Sequence, residues 1–110
     1  MNYFLKKNEI LSNKKDISQL FQNGNSIEGK YTTVVFFKYN YRAILFTTRK
    51  KFGNAVKRNR GRRYLKEFYR QNKELFKSNY LYALILLKTP LENALNKISE
   101  DLKKTLIKIY

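Results

Sequence analysis

Lys51-Phe52-Gly53-Asn54-Ala55-Val56-Lys57-Arg58-Asn59-Arg60-Gly61-Arg62-Arg63 is the stretch on which the fold turns. Gly53 and Asn54 interrupt the strand-like pattern ahead of them. Asn caps helices well, because its side-chain oxygen accepts an otherwise orphaned amide of the first turn. From Ala55 the residues phase as a helix running to about Phe76. With about 3.6 residues per turn, Tyr64, Leu65 and Phe68 form an apolar stripe. Asn59, Arg62, Arg63, Lys66 and Arg70 gather on another face, flanked by Arg58 and Arg60. Ala55 and Val56 are expected to pack as core where the helix starts. Gly61 is a liability inside it, costing about 1 kcal/mol relative to Ala and leaving a gap in the stripe.

On either side of this helix the pattern is that of strands. Tyr31 to Tyr39 and Arg42 to Thr48 are rich in Thr, Val and aromatics, with Asn40 as a turn residue between them, so a hairpin is expected. A short strand near Ser26-Ile27-Glu28 precedes it. Tyr80 to Leu87 is a continuous apolar run of strand length, which predicts an interior strand. A first helix is expected after Ser12 or Asn13, with Asp16 favourably placed in its first turn. Ile17, Leu20 and Phe21 share one face of it, and Asn23-Gly24-Asn25 ends it. A last helix is expected to open at Thr89-Pro90, with Leu91, Leu95, Ile98, Leu102, Leu106 and Ile109 on one face. Residues 1–11 read as an extended arm. The order α-β-β-β-α-β-α over residues 1–110 predicts one α+β domain, a four-stranded sheet with helices packed on it.

Charge points to the class of partner. Lys and Arg total 24 against 8 acids, a formal charge of +16, and hydrophobic residues at 43% suffice for a core. Self-repulsion on that scale calls for a polyanion, and nucleic acid fits best. A membrane is not expected, since no run of about 18 apolar residues exists. The first residues, Met1 to Lys7, carry no export signal, so a cytoplasmic location is expected. Without Cys or His there is no Cys/His zinc site, no Ser-His-Asp triad and no histidine acid–base chemistry. The acids are Glu9, Asp16, Glu28, Glu67, Glu74, Glu92, Glu100 and Asp101. Their spacing suggests no convergent metal site.

The segment from Arg49 to Arg70 holds ten bases and one acid, Glu67, and six of the chain's seven arginines. A solvated helix would interleave Glu with Lys. Here like charges stack, and arginine is the chosen cation, whose planar fork grips phosphates bidentately. A nucleic-acid surface follows. RNA is favoured over DNA, because no helix-turn-helix partner or zinc finger is evident.

The residues 51–63 quoted above resemble the signature of the bacterial ribonuclease P protein subunit, K-x-G-x-A-V-x-R-N-x-x-K/R-R, with Arg58-Asn59-Arg60 as its core. Leu20-Phe21-Gln22-Asn23-Gly24 resembles the family's early Leu-Phe-x-x-Gly. The resemblance implies a ribosomal protein S5 domain 2-like fold with a left-handed βαβ crossover. It implies a subunit of an endonuclease that removes the 5′ leader of precursor tRNA, with catalysis and the Mg2+ ions held by a partner RNA and no catalytic or metal residue in this chain. Carried over, it gives Lys51, Arg58, Asn59, Arg60, Arg62, Arg63, Lys66 and Arg70 to the ribonuclease P RNA. It gives Ile17, Phe21, Thr33, Val35 and Phe37 to a cleft for the precursor's single-stranded leader. Ile17 departs from the family's usual aromatic, and Gly61 from its branched apolar residue. Two other readings stand beside this one: a non-enzymatic RNA-binding or ribosome-associated protein, and a protein-only nuclease.

Overall fold

Tyr80–Leu86 lies at the centre of the fold, in a computed structural model that describes residues 7–109. The elements run α1 (Lys14–Asn23), β1 (Asn25–Glu28), β2 (Thr32–Lys38), β3 (Ala43–Thr48), α2 (Ala55–Gln71), β4 (Tyr80–Leu86) and α3 (Ala94–Ile109), with 3-10 turns at Lys7–Glu9 and Lys73–Leu75. The four strands form one mixed sheet in the order β1-β2-β4-β3. The α+β architecture and the element order are those expected. One part of the topology is not, because β2 and β3 do not form a hairpin. β4 inserts between them, antiparallel to β2 (Val35 opposite Ala83) and parallel to β3 (Leu45 opposite Ala83). β1 and β2 are the strands that pair as antiparallel neighbours in sequence. The physical reason lies in β4 itself. Leu81, Tyr82, Ala83, Leu84 and Leu86 are all buried, on both faces of the strand. A strand apolar on both faces gains most from an interior place under helices on either side.

Alternate residues divide between two cores. On one face Val34, Ile44, Phe46, Tyr82, Leu84 and Leu86 meet Leu65, Phe68 and Tyr69 of α2 and Ile98, Leu102 and Leu106 of α3. On the other face Val35, Ala43, Leu81 and Ala83 meet Leu20 of α1 and Leu11. Helix ends follow local chemistry. Asn13 Oδ1 accepts from the Lys15 and Asp16 amides, and the Gly24 amide donates to the Leu20 carbonyl, as the sequence suggested. α2 stops earlier than expected, at Gln71. The Asn72 side chain donates to the Phe68 carbonyl at 2.9 Å and so competes with the helical ladder, after which Phe76 enters the core in extended backbone. α3 starts later than Thr89-Pro90, at Ala94, with Asn93 in the left-handed region (φ 50°). Leu91 is therefore no part of its buried face and stands fully exposed. Residues 1–6 of the expected arm lie outside the described residues. From Lys7 the chain makes a 3-10 turn, Ile10 bridges to Ile44, and Leu11 is buried.

Two long-range clamps lock the frame. Asp101 of α3 accepts from the amides of Lys30, Tyr31 and Thr32 and from the Thr32 hydroxyl, at 2.8–3.0 Å. That fixes the β1–β2 turn against α3. Arg42, the arginine outside the 49–70 segment, donates to the Phe76 carbonyl at 3.0 Å and pairs with Glu9 at 3.5 Å. Glu9 also receives Lys73 Nζ at 3.0 Å and the Tyr69 hydroxyl at 3.2 Å. This exception to the arginine pattern is thus structural.

Candidate nucleic-acid interface

The turn into α2 is fastened at several points. Gly53 has φ 150°, a conformation that side chains resist. The Arg58 guanidinium donates back to the Gly53 carbonyl at 2.7 Å, Asn54 Oδ1 accepts from the Lys57 amide at 3.0 Å, and the Phe52 amide donates to the Arg49 carbonyl. One turn further, Gly61 is buried against the sheet. A Cβ there would lie 2.9 Å from Leu86 Cδ2 and 3.1 Å from Thr48 Cγ2. The expected gap does not exist, because β3 and β4 fill it. α2 is therefore seated closely on the strands, and its outward side chains project from a rigid support.

The buried stripe is rotated slightly from expectation. Leu65 and Phe68 are buried as foreseen, joined by Gly61 and Tyr69, while Tyr64 is only half-buried. Burial pushes the Tyr69 hydroxyl up to about 12. Ala55 and Val56, expected in the core, are exposed, Val56 to 65%. They sit beyond the edge of the sheet contact, on the basic side of the helix.

The eight candidate RNA contacts divide by what already holds them. Lys51, Asn59, Arg60 and Arg63 are exposed; Arg58, Arg62, Lys66 and Arg70 are half-buried. Arg58 is committed to the helix entry, and the Arg62 guanidinium donates to Asn59 Oδ1. Arg70 makes a two-pronged pair with Glu67, Nε to Oε2 at 3.0 Å, and its hydrogen bonds hold the Glu67 carboxyl below its usual range. Lys51, Arg60, Arg63 and Lys66 make no hydrogen bond or ion pair among the described residues. Their charge is free for a ligand. Arg49, Lys57 and Lys88 extend the surface at the N-terminal end of α2, around a cavity that also touches Arg60. Lys88 carried no local signal, since it comes from the far end of β4.

The five leader-cleft candidates lie on the opposite side of the sheet, with α1. α1 crosses β2 and β4. Val35 is buried beneath it, Ile17, Thr33 and Phe37 are half-buried, and Phe21 is 46% exposed. Leu45, Thr47 and Ile85 stay half-buried on this face. The rings of Phe37, Tyr39 and Tyr41 follow one another at 6.0 and 5.5 Å between centroids. Asp16 accepts from both tyrosine hydroxyls, from Tyr39 at 2.7 Å. Those bonds, Tyr41 first, hold its carboxyl below the usual range, while partial burial and Asp16 push Tyr41 up to about 12. Sequence reasoning missed Tyr39 and Tyr41, although the two-residue period from Val35 and Phe37 runs on into them.

The carboxylates offer little to a metal. Asp101, Asp16, Glu9 and Glu67 are each engaged as described. Among the described residues no three acids converge as a cation site. No helix of the described residues is long and apolar enough to cross a membrane.

Comparison with known proteins adds to this picture. Residues 5–110 match the family model described as Ribonuclease P. The ribonuclease P protein component of Syntrophus aciditrophicus is 38% identical over 83 residues, 74% of this chain and 70% of that protein. The solved RNase P protein of Thermotoga maritima superposes with a TM-score of 0.75 at 24% identity, covering 93% of this chain and 98% of that one. The Staphylococcus aureus RNase P protein gives 0.77 at 18% identity, covering 92% and 94%. At such identities the structural likenesses speak for the fold alone.

Proposed function

The chain belongs to the ribonuclease P protein family, and from that premise we propose that it serves as the protein subunit that binds the ribonuclease P RNA along α2 and the 5′ leader of precursor tRNA on the α1 side of the sheet. As a family member it is a subunit of an endoribonuclease of tRNA processing, with an RNA partner. The observation that carries the finer reading is the free charge of Arg60, Arg63 and Lys66 on α2 and of Lys51 in the turn that leads into it, opposed in the whole 49–70 segment by Glu67 alone.

Cations fixed on a scaffold bind phosphates with little ordering cost, and each phosphate neutralised releases counterions. Arg60 and Arg63 supply bidentate forks, while Lys51 and Lys66 act as point charges. On the other side, half-buried Phe37 and Ile17 and exposed Phe21 give bases an apolar surface. Single strands bind such surfaces without sequence readout, because every base has a stackable face. The two sides separate the two tasks. We assign the Mg2+ ions to phosphates of the partner RNA. In this account the chain's own residues bind and orient RNA and move no proton in the cleavage.

Reconstitution tests the reading. Added to its partner RNA at limiting Mg2+, the chain is expected to restore removal of the 5′ leader from precursor tRNA. No effect on leader removal or on the Mg2+ requirement would defeat it.

A further inference from the structure

At its N-terminal end the basic face of α2 runs into a groove of about 410 Å³, between the turn ahead of α2 and the segment joining β4 to α3. Arg49, Lys57, Arg60 and Lys88 supply four cations, and no acid lines it. Its remaining walls are mainly apolar, with Phe52 on one side and Pro90 and Leu91 on the other. Leu91 is fully exposed, so nothing in the fold uses its side chain. Lys88 Nζ lies 5.8 Å from the centroid of the Tyr31 ring, which it shares with Lys30 at 5.4 Å, so positive charge continues past the groove toward α3.

The two kinds of wall ask for one kind of ligand. Four cations without an acid call for phosphate. A free phosphate would leave Phe52, Pro90 and Leu91 unused. A paired base, stacked within its duplex, could not reach them. An unpaired nucleotide satisfies both, because its base offers a flat apolar face while its flanking phosphates remain charged. We propose that this groove receives a single unpaired nucleotide, extruded from the RNA that lies along α2, with its base against Phe52, Pro90 and Leu91 and its phosphates on Arg49, Lys57, Arg60 and Lys88. The proposal rests on the reading of α2 as an RNA-binding helix and adds a base-accepting slot to it. It makes recognition at this end depend on RNA structure, since only a bulge or loop can supply the nucleotide.

Two RNA duplexes of the same sequence, one uninterrupted and one with a single bulged nucleotide, test it by fluorescence anisotropy with the full chain. The bulged duplex is expected to bind about tenfold more tightly, the scale of one base stacked on protein side chains. Leu91→Ser is expected to cut that preference by about threefold or more, with an unchanged melting profile because the side chain is fully exposed. Lys88→Ala is expected to weaken the bulged duplex more than the intact one. Equal affinity of the wild-type chain for both duplexes, or a full preference retained by Leu91→Ser, overturns the slot and leaves the α2 reading standing. Failure to bind either duplex or the partner RNA overturns both. Displacement of the bulged duplex by polyglutamate more readily than by short single-stranded RNA would assign the groove to an acidic peptide and also overturn the proposal.

Discussion

The two faces of the sheet are built to different standards. One carries α2 and α3 and is sealed, with Phe68, Tyr69, Leu84 and Leu86 at or near zero exposure. The other carries α1 with Leu11 packed beside it, and among the described residues Phe21, Ile17, Phe37, Leu45 and Ile85 remain partly open. In the proposed reading, the sealed face presents its function outward, as cations on the far side of α2, and the open face presents its function directly, as apolar strand and helix residues that a ligand can touch. The difference teaches where rigidity is needed. A charged surface that must match spaced phosphates needs a fixed support, whereas a surface for a flexible single strand needs only accessible apolar area.

The sharpest way to break the contrast is to empty the sealed face. Phe68→Ala is expected to cost about 3–5 kcal/mol by urea denaturation, because a buried ring leaves a cavity that neighbours fill incompletely. A loss below about 1 kcal/mol, the range of surface changes, would mean this face is not the stability core.

Gly61→Val addresses the seating of α2 rather than its core. The added atoms would press on Leu86 and Thr48, for a cost of about 1–3 kcal/mol. A gain in stability, as helix propensity alone predicts, would show that the close approach is not required.

How much of this was legible in the sequence follows from distance along the chain. The Asn13 and Asn54 caps, the Gly24 stop and the basic face of α2 are local or periodic features, and they were read correctly. The apolar run of β4 announced an interior strand. Its place between β2 and β3 could not be read from turn signals, since it pairs residues 38 to 54 positions apart; only the βαβ crossover implied by the family resemblance pointed to the parallel pairing of β3 with β4. Asp101 reaches a turn seventy residues away, and Lys88 joins the α2 surface only through the sheet. Val56 and Leu91 look like core residues in sequence. They are exposed because α2 extends past the sheet contact and α3 starts late, both tertiary outcomes. The engagement of Arg62 by Asn59 and of Arg70 by Glu67, each three residues earlier on the same helix, was open to reading from helical spacing and was missed, whereas the return of Arg58 to the Gly53 carbonyl depends on the shape of the turn.

Asp101 gives a smaller effect with a pH signature. Burial alone would raise its carboxyl, but hydrogen bonds from the Tyr31 and Lys30 amides and from Thr32 outweigh this and hold it below its ordinary value. A carboxyl depressed in the folded state contributes stability above its unfolded value, near pH 4, and loses it as pH falls through the folded value. Asp101→Asn is therefore expected to lower stability at neutral pH by about 1–3 kcal/mol, because one amide oxygen cannot serve four donors. Wild type and variant should converge as the pH drops below 4. A gap that persists unchanged in acid would remove the carboxylate from the account.

Phe21→Ala should have the least effect on stability, within about 0.5 kcal/mol, since the ring is 46% exposed. Its effect is expected instead on binding of precursor tRNA with a single-stranded leader, with no change for mature tRNA. A large loss of stability without that discrimination would make Phe21 a core residue and close the open face.

The central claim is that the free cations of α2 hold the RNA partner by its phosphates. It is tested most directly by the salt dependence of affinity for that RNA, compared between the wild-type chain and the Arg60→Ala/Arg63→Ala double variant. The account predicts weaker binding and a log–log slope shallower by about two, one for each phosphate contact removed. An unchanged affinity with an unchanged slope would contradict it.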